Sequence, residues 1–328
     1  MNKCKILSQK HHKVMIGILL AAMLVFPLMG FSQYVYRIAV VSVLYAILAM
    51  SLNLIAGVAG QISLGHIAFY GIGAYTSALL CVNFGVSVWV GILAAFVVSM
   101  LFGLLIAIPT LKLSGGYLAI LTMSFAEIIR LILLNWTSVT RGPMGILNIP
   151  KPSLFGYTIK SSGAFLYLVL TVAIIVYIGM HNLIHSRFGR NLQALRDDEI
   201  SSESMGINVY RYKVIAFVIS TGVAGVAGAL FASYMEFIDP SSFISDESTV
   251  ILSMVVLGGM GNMNGSIIAA ALLTILPEAL RSFSDYRMLV YGVVLVAMML
   301  LKITDWAAIK RSLKMALNFK TGGKESGT

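Results

Sequence analysis

Two ionisable side chains stand in an otherwise apolar stretch of this sequence. Glu127 and Arg130 lie three residues apart within 116–135, a spacing that places both on one face of a helix and permits an ion pair. Among apolar helices an ionisable group is costly unless it is paired or hydrated. The pair is therefore predicted to hold two helices together or to line a polar pathway, and the sequence leaves both interpretations open.

Polar and small residues interrupt a second apolar stretch, from Ser51 to His66. Gly57 and Gly60 could break a helix here and leave backbone groups to bind a substrate, as discontinuous transporter helices do. Alternatively, the stretch is a short uncharged loop in which Ser63 caps the next helix. His66 by itself is more typical of helix packing than of a proton relay. The polar side chains that could line a pathway here are Asn53, Gln61, Ser63 and His66.

The longest charged segment between apolar stretches is 184–213. A short amphipathic helix is predicted within 190–206, with Asn191 as its N-cap and Gly206 as its stop signal. About 14 residues make roughly 20 Å of helix, which could seat in a groove of a partner protein. Acidic residues make the helix less suited to rest on an anionic lipid surface. We therefore predict a docking helix, with apolar residues Leu192, Leu195, Ile200 and Met205 offset by Arg196, Asp197, Asp198 and Glu199.

Glycine and other small residues mark two further features. The apolar stretch 249–280 divides at Gly258, Gly259 and Gly261, which predicts two short helices joined by a tight turn or gate. Non-helical backbone at membrane depth is tolerated only where protein or a water-filled cavity covers it, so the pair could be re-entrant. Small residues also follow one another at 222–229, and such stripes let helix backbones approach closely.

Nothing in the sequence supports catalysis by the chain itself. The segment 322–325 lacks the upstream glycine and the following Ser or Thr of a phosphate-binding loop. No His, Glu or Asp cluster has the spacing of metal ligands, and Cys4 and Cys81 fit neither a disulfide framework nor a metal site. No catalytic residue, metal, cofactor or nucleic-acid partner is therefore expected. If ATP powers this protein, a partner must hydrolyse it.

The composition predicts an all-α, polytopic transmembrane helix bundle. Of 328 residues, 59% are hydrophobic and 11% charged, against about 25% charged in a typical soluble domain. From Ile38 to Leu111 there is no Asp, Glu, Lys or Arg, whereas about 20 apolar helical residues already cross a bilayer. Eight full spans plus the glycine-broken pair are expected, eight to ten crossings in all, and the spans lie near 14–30, 36–56, 62–82, 87–109, 116–135, 164–183, 214–235 and 288–302.

Basic residues orient these helices. Lys and Arg are concentrated in the first 13 residues, in 184–213 and in the tail, and such segments stay in the cytoplasm. The acidic segment 236–247 is then outside, as is 136–163 despite its three basic residues. Residues 14–29 are read as a retained span, although a cleaved signal peptide is an alternative. The prediction is a basic cytoplasmic tail at 1–13, a transmembrane permease domain at 14–302 with its cytoplasmic loop at 184–213, and a cytoplasmic tail at 303–328.

From about 36 to 302, the chain resembles the LivM-type permeases of branched-chain amino-acid ABC importers. The resemblance rests on the order and spacing of four motifs, each weak alone. They are Ser51 to Leu54 with Gly57 and Gly60 to His66, Phe125 to Leu131, Ser186 to Arg190 leading to Met205 to Asn208, and Val256 to Gly261. In such permeases the 184–213 loop carries a coupling helix that docks into an ATPase subunit, and the matching contact candidates here are Arg190, Ala194, Arg196, Asp197, Glu199, Met205 and Gly206.

The resemblance also implies a function and partners. The chain would be a permease in the bacterial cytoplasmic (inner) membrane that translocates Leu, Ile or Val by alternating access. Its partners would be a second homologous permease, two ATP-binding subunits and a periplasmic or lipid-anchored substrate-binding protein, besides membrane lipid. Two segments depart from the family pattern: Arg141 and Met144 replace a usual Gly and Asn, and 262–264 is polar where apolar residues are usual.

Three other functions stay open at this point. A related ABC permease for urea or short amides has the same architecture. A stand-alone channel or ion-driven secondary transporter would use Glu127 and His66. A membrane-embedded enzyme lacks any acid, base or metal constellation in the sequence.

Overall fold

The computed structural model describes residues 32–110, 115–154, 157–159 and 161–279, together with 292, 293 and 296. The predicted spans at 14–30 and 288–302 and both tails fall outside the described residues, apart from those last three positions. Helices described up to Ile275 form one compact unit, and residues from Leu276 onwards belong to a second one. The contacts given below are those of the first unit.

Long helices account for most of the described chain, as its charge-free apolar sequence predicts. Six of them, of 19 to 27 residues, are long and apolar enough to cross a membrane. These six match the predicted spans from 36–56 to 214–235, so the all-α polytopic fold class is confirmed. The helices are α1 (Gln33–Asn53), which continues as a π-helical turn (Leu54–Val58), α2 (His66–Phe84), α3 (Val88–Thr110), α4 (Gly116–Asn135), α5 (Thr137–Thr140), α6 (Ser162–His185), α7 (Arg187–Asp197), α8 (Glu199–Ser204), α9 (Val209–Met235), α10 (Ser245–Gly258) and α11 (Met263–Ala279).

Helix α9 packs against α2 and α3 through its stripe of small residues. A Cβ atom on Gly73 of α2 would lie 2.2 Å from the backbone oxygen of Gly225, and one on Gly228 would lie 2.0 Å from that of Tyr70. On the α3 side, a Cβ on Gly225 would lie 2.2 Å from Ser99 Oγ. The stripe therefore serves close packing within this chain.

Replacing Gly73 with Ala is expected to lower the Tm of the detergent-solubilised protein. The added methyl group meets backbone atoms of Gly225, which cannot rotate away as a side chain can, and overpacking of this kind costs about 1–3 kcal/mol. Gly179→Ala on α6 is the matched control, because no atom lies within 4 Å of the added Cβ. An equal Tm for both variants would show that α2 and α9 do not pack as described.

Short strands join the two segments that the sequence places outside. Strand β1 (Ile146–Leu147) pairs antiparallel with β4 (Phe237–Ile238), and β2 (Ser153–Leu154) pairs with β3 (Tyr157–Thr158). Lys151 Nζ also lies 2.7 Å from Glu236 Oε1. The basic segment 136–163 and the acidic segment 236–247 are therefore at the same end of the bundle, which we call the sheet end.

The acidic segment is shorter than the sequence suggested. Helix α10 begins at Ser245, so Asp246 and Glu247 lie in its first turn and not in a loop. Carboxylates are favoured there because the helix dipole is positive at the N-terminus. Glu247 Oε2 also accepts a hydrogen bond from Tyr45 Oη at 2.7 Å. These two charges therefore belong to a helix that packs on α1.

The predicted pair of short helices is confirmed as α10 and α11. Helix α10 ends at Gly258 and α11 begins at Met263. Gly259 (φ 101°) and Gly261 (φ 84°) adopt left-handed backbone conformations in the intervening turn, which side chains rarely allow. A Cβ on Gly258 would lie 2.3 Å from the backbone nitrogen of Ser266. The three predicted turn glycines thus allow the turn to form and the backbones of α10 and α11 to approach closely beside it.

Candidate functional site

A break between α1 and α2 lies inside the protein. After the π-helical turn the chain runs without regular structure from 59 to 65, with Gly60 in a left-handed conformation (φ 72°). Gln61, Ser63 and His66 are all buried. Ser63 does not cap α2, whose N-cap is Gly65 without a side-chain hydrogen bond. The segment is therefore a buried, non-helical connection between two spans, and Ser63 does not cap the second of them.

Five residues from three parts of the chain meet at this break, and we call them the junction: Asn53, Gly57, Arg196, Gly261 and Ser266. Arg196 Nη1 donates a hydrogen bond to Gly57 O at 2.7 Å. Asn53 Oδ1 accepts from the backbone nitrogen of Gly261 at 2.8 Å, and Asn53 Nδ2 donates to Ser266 Oγ at 3.1 Å. The end of α1, the turn between α10 and α11, and α7 are thus bonded to one another at the end opposite the sheet end.

Glycine is required at the centre of the junction. A Cβ on Gly57 would lie 1.9 Å from Asn53 Oδ1 and 2.2 Å from the nitrogen of Gly261, and a Cβ on Gly60 would lie 2.6 Å from Arg196 Cγ. The backbone nitrogen of Gln61 bonds to Ile55 O at 3.0 Å. In a regular helix that nitrogen would bond to Gly57 O. The carbonyl of Gly57 therefore accepts from the guanidinium instead.

The predicted docking helix is two helices, α7 and α8, and not one. Asp198 separates them in an extended conformation and caps α8, accepting from the backbone nitrogen of Ser201 at 3.0 Å and from its hydroxyl at 2.8 Å. These hydrogen bonds hold the pKa of Asp198 below its ordinary value. The N-cap of α7 is Ser186 and not Asn191. Gly206, with φ 83°, follows the end of α8 as predicted.

Both helices are tied to α9. Asn191 of α7 donates to Tyr212 Oη at 2.7 Å. Lys213 of α9 is buried, with 8% of its side chain exposed, and forms an ion pair with Glu199 of α8. A buried ammonium group requires such a partner. The sequence predicted Arg196 and Glu199 as contacts to another protein; both stay exposed, and their charged groups also bond within the chain.

The apolar residues of this segment divide into two sets. Leu192 and Leu195 are buried, as an amphipathic helix requires, whereas Ile200 and Met205 are 80% and 84% exposed. Large apolar side chains exposed together are typical of interaction sites. Every contact candidate predicted from the sequence is exposed in this structure: Arg190, Ala194, Arg196, Asp197, Glu199, Met205 and Gly206.

The predicted ion pair between Glu127 and Arg130 is present. Arg130 Nε lies 3.0 and 3.1 Å from the two carboxylate oxygens, and Ser245 Oγ donates to Glu127 Oε2 at 3.4 Å. The pair joins α4 to the start of α10, yet 42% of the Glu127 side chain is exposed. Helix α10 has 14 residues and is therefore about 20 Å long. The ion pair lies at the start of α10 and the junction at its end, so they are separated by this length.

His66 is buried at the start of α2 and packs against α1. Its Nε2 lies 2.6 Å from Ser51 Oγ, and the backbone oxygen of Ser51 accepts a hydrogen bond from Ser220 Oγ of α9. The packing role expected of His66 is therefore present. Among the predicted pathway residues, Asn53, Gln61, Ser63 and His66 lie in or next to the break, whereas Glu127 and Arg130 lie elsewhere.

Residues 34–300 match the protein family described as "Branched-chain amino acid transport system / permease component". The chain belongs to this family. The permease is 40% identical to the high-affinity branched-chain amino acid transport system permease protein LivM of Salmonella typhimurium, over 89% of this chain and 74% of the relative. It is 39% identical to LivM of Escherichia coli over the same shares. With LivH of Salmonella typhimurium the identity is 26%, over 84% of this chain and 94% of the relative.

No solved structure matches the permease. The two bacterial LivM proteins are more similar to it than the LivH proteins are, so the resemblance to LivM-type permeases that the motifs indicated is confirmed. Family and helices together make the chain a multi-pass membrane permease.

Proposed function

We propose that this permease is the LivM-type subunit of an ATP-binding cassette importer that carries leucine, isoleucine and valine across the bacterial cytoplasmic membrane by alternating access. The names of its relatives support the substrate class. The observation that carries the mechanism is the bond from Arg196 of α7 to Gly57 at the helix break. It joins an exposed surface for a partner to the backbone of a transmembrane helix.

The partners of the permease follow from what its own sequence lacks. It has no phosphate-binding loop, so two separate ATP-binding subunits hydrolyse ATP and the permease is not itself an enzyme. A second homologous permease completes the membrane part, and relatives named LivH support such a subunit. A periplasmic or lipid-anchored substrate-binding protein delivers the amino acid at the sheet end.

The orientation of the permease follows from charge and contacts together. The loop that carries α7 and α8 is basic and therefore cytoplasmic. Tyr210 Oη donates to Ile108 O at 2.9 Å, so α3 ends beside the start of α9 on the cytoplasmic side. The sheet end is then outside, both termini are cytoplasmic, and eight full spans accompany the pair formed by α10 and α11.

A docking surface for the ATP-binding subunit covers the outer side of α7 and α8, and it consists of Arg190, Ala194, Asp197, Ile200, Met205 and Gly206. Ile200 and Met205 supply apolar anchors, which dominate the energy of many interfaces. Arg196 and Glu199 do a different job. They fasten the docking surface to Gly57 and Lys213, so that its movement is transmitted to α1 and α9.

The gate of the permease is the turn at Gly258, Gly259 and Gly261. Asn53 bonds this turn to α1, and Arg196 bonds α7 to the same position. When ATP binding displaces the docking surface, the end of α1 and the turn move together. The polar residues of the break then line the pathway at this level, and Glu127 with Arg130 lines it nearer the sheet end.

Reconstitution of the permease in liposomes with the second permease, the two ATP-binding subunits and the substrate-binding protein tests this function. ATP-dependent leucine uptake is expected, and excess unlabelled isoleucine or valine should reduce it at least tenfold, whereas urea should leave it unchanged. Liposomes that contain the permease alone under an ion gradient are the control and should show no uptake. Uptake by the permease alone, or inhibition by urea and not by valine, would contradict the proposal.

A further inference from the structure

Three buried polar atoms without a hydrogen-bond partner lie within one short segment of the described chain. They are Gln61 Oε1, Ser63 Oγ and His66 Nδ1. Buried polar groups in folded proteins are nearly always hydrogen-bonded, and those that are not require an explanation. Three in six residues, at a helix break, point to a ligand.

The tautomer of His66 shows what kind of ligand these atoms suit. Ser51 Oγ lies 2.8 Å from Leu48 O, which can only accept, and 2.6 Å from His66 Nε2. Both hydrogen bonds form together when Ser51 donates to Leu48 O and His66 Nε2 donates to Ser51 Oγ. The proton of the neutral ring is then on Nε2, and Nδ1 is an acceptor. Gln61 Oε1 is also an acceptor, and the hydroxyl of Ser63 can be one. All three atoms can therefore receive a donor.

The backbone brings these acceptors to one side. Residues 60–65 run without helical structure, and burial alternates along their first four positions. Gln61 and Ser63 are buried, whereas Gly60 and Ile62 are exposed. His66 follows directly at the start of α2. We call Gln61, Ser63 and His66 the acceptor face.

We propose that the acceptor face receives the ammonium group of the transported amino acid. An ammonium group has three donors and no acceptor, which complements three acceptor atoms. This inference rests on the proposed function and names the part of the substrate that the helix break recognises.

Arg196 controls access to the acceptor face. The face is closed in this conformation, because its side chains are buried. The stem of Arg196 lies against Gly60, where an added Cβ would be 2.6 Å from Cγ, and its guanidinium binds Gly57 O. Displacement of α7 therefore releases the residues that immediately precede Gln61. Opening of the site is linked in this way to movement of the docking surface.

Binding of radiolabelled leucine to the purified complex of the permease with its membrane and ATP-binding partners tests the proposal. Leucinamide, which keeps the ammonium group, is expected to compete, and 4-methylpentanoate, which lacks it, is not. Gln61→Met and Ser63→Ala should each weaken leucine binding about tenfold and raise the Tm, because each removes an unpaired buried polar atom. A gain in stability with a loss of binding distinguishes a ligand site from a structural role.

Ser233→Ala is the matched control. Its hydroxyl is also buried and without a partner, but it lies near the sheet end of α9. It should raise the Tm and leave leucine binding unchanged. Equal competition by 4-methylpentanoate, or unchanged leucine binding in the Gln61 and Ser63 variants because only water occupies the face, would overturn the inference. If the wild-type transporter takes up no leucine with ATP, the proposed function itself fails.

Discussion

Replacing Arg196 with Gln is expected to reduce leucine uptake by the reconstituted transporter at least tenfold, while ATP hydrolysis continues. The guanidinium is the group that bonds α7 to the end of α1. A hydrogen bond to a charged donor contributes about 1.5–3 kcal/mol, and each 1.4 kcal/mol corresponds to about a factor of ten. Gln is too short to span the same distance, so the docking surface would move without moving the break.

Two other variants distinguish coupling through the Arg196 guanidinium from the general effect of removing a positive charge from α7. Lys at position 196 keeps the charge but presents a single ammonium group in place of the planar fork of arginine, so uptake should recover only in part. Arg187→Gln removes a charge from the exposed first turn of the same helix and should leave uptake and hydrolysis coupled. Unchanged uptake in Arg196→Gln would exclude the junction as the link between ATP hydrolysis and transport.

The sequence alone predicted the parts of this fold that depend on local spacing and composition. A run without charges identifies membrane helices because lipid excludes charged residues, and the six described spans agree with their predicted limits within a few residues. The ion pair of Glu127 and Arg130 was predictable because a three-residue spacing within one helix determines its geometry. The turn at Gly258, Gly259 and Gly261 was predictable because glycine tolerates left-handed backbone.

Contacts between distant segments were not predictable from one sequence. Arg196 was predicted as a partner contact, since it stands in a charged segment, and nothing in the sequence indicated that it also binds the carbonyl of Gly57, 139 residues away in the chain. Lys213 was counted among the basic residues that orient the loop, yet it is buried against Glu199. In both cases the tertiary fold, and not spacing, supplies the partner.

The division of the docking segment at Asp198 shows the same limit in a different form. Periodicity across 190–206 suggested one helix with a single apolar face. Asp198 competes for that backbone, because its carboxylate can cap the next helix by accepting from Ser201. The interruption turns Ile200 and Met205 away from the face that Leu192 and Leu195 share. Asp198 is the residue that signals the interruption, because it can cap a helix, although the apolar periodicity on both sides of it suggests one continuous helix.

The double variant Ile200→Asp with Met205→Asp is expected to abolish co-purification of the ATP-binding subunits and to leave the Tm of the isolated permease unchanged. Both side chains are at least 80% exposed, so neither contributes to packing within the chain. In an interface, each side chain would remove its apolar surface from water. Truncation of such an anchor typically weakens the binding free energy by about 2 kcal/mol or more. An unpaired carboxylate buried at the same position weakens binding further.

Met144→Asp at the sheet end is the matched control, because Met144 is 81% exposed and Met205 is 84% exposed. The same chemical change at the same exposure should leave the ATP-binding subunits attached if docking is confined to α7 and α8. Because the guanidinium of Arg196 binds Gly57 and the apolar anchors are Ile200 and Met205, Arg196→Gln should keep the subunits bound while uncoupling them. Two results would contradict this division of roles: loss of the ATP-binding subunits in Arg196→Gln, or their retention in the double variant. Either would mean that docking by Ile200 and Met205 is not separate from coupling by Arg196.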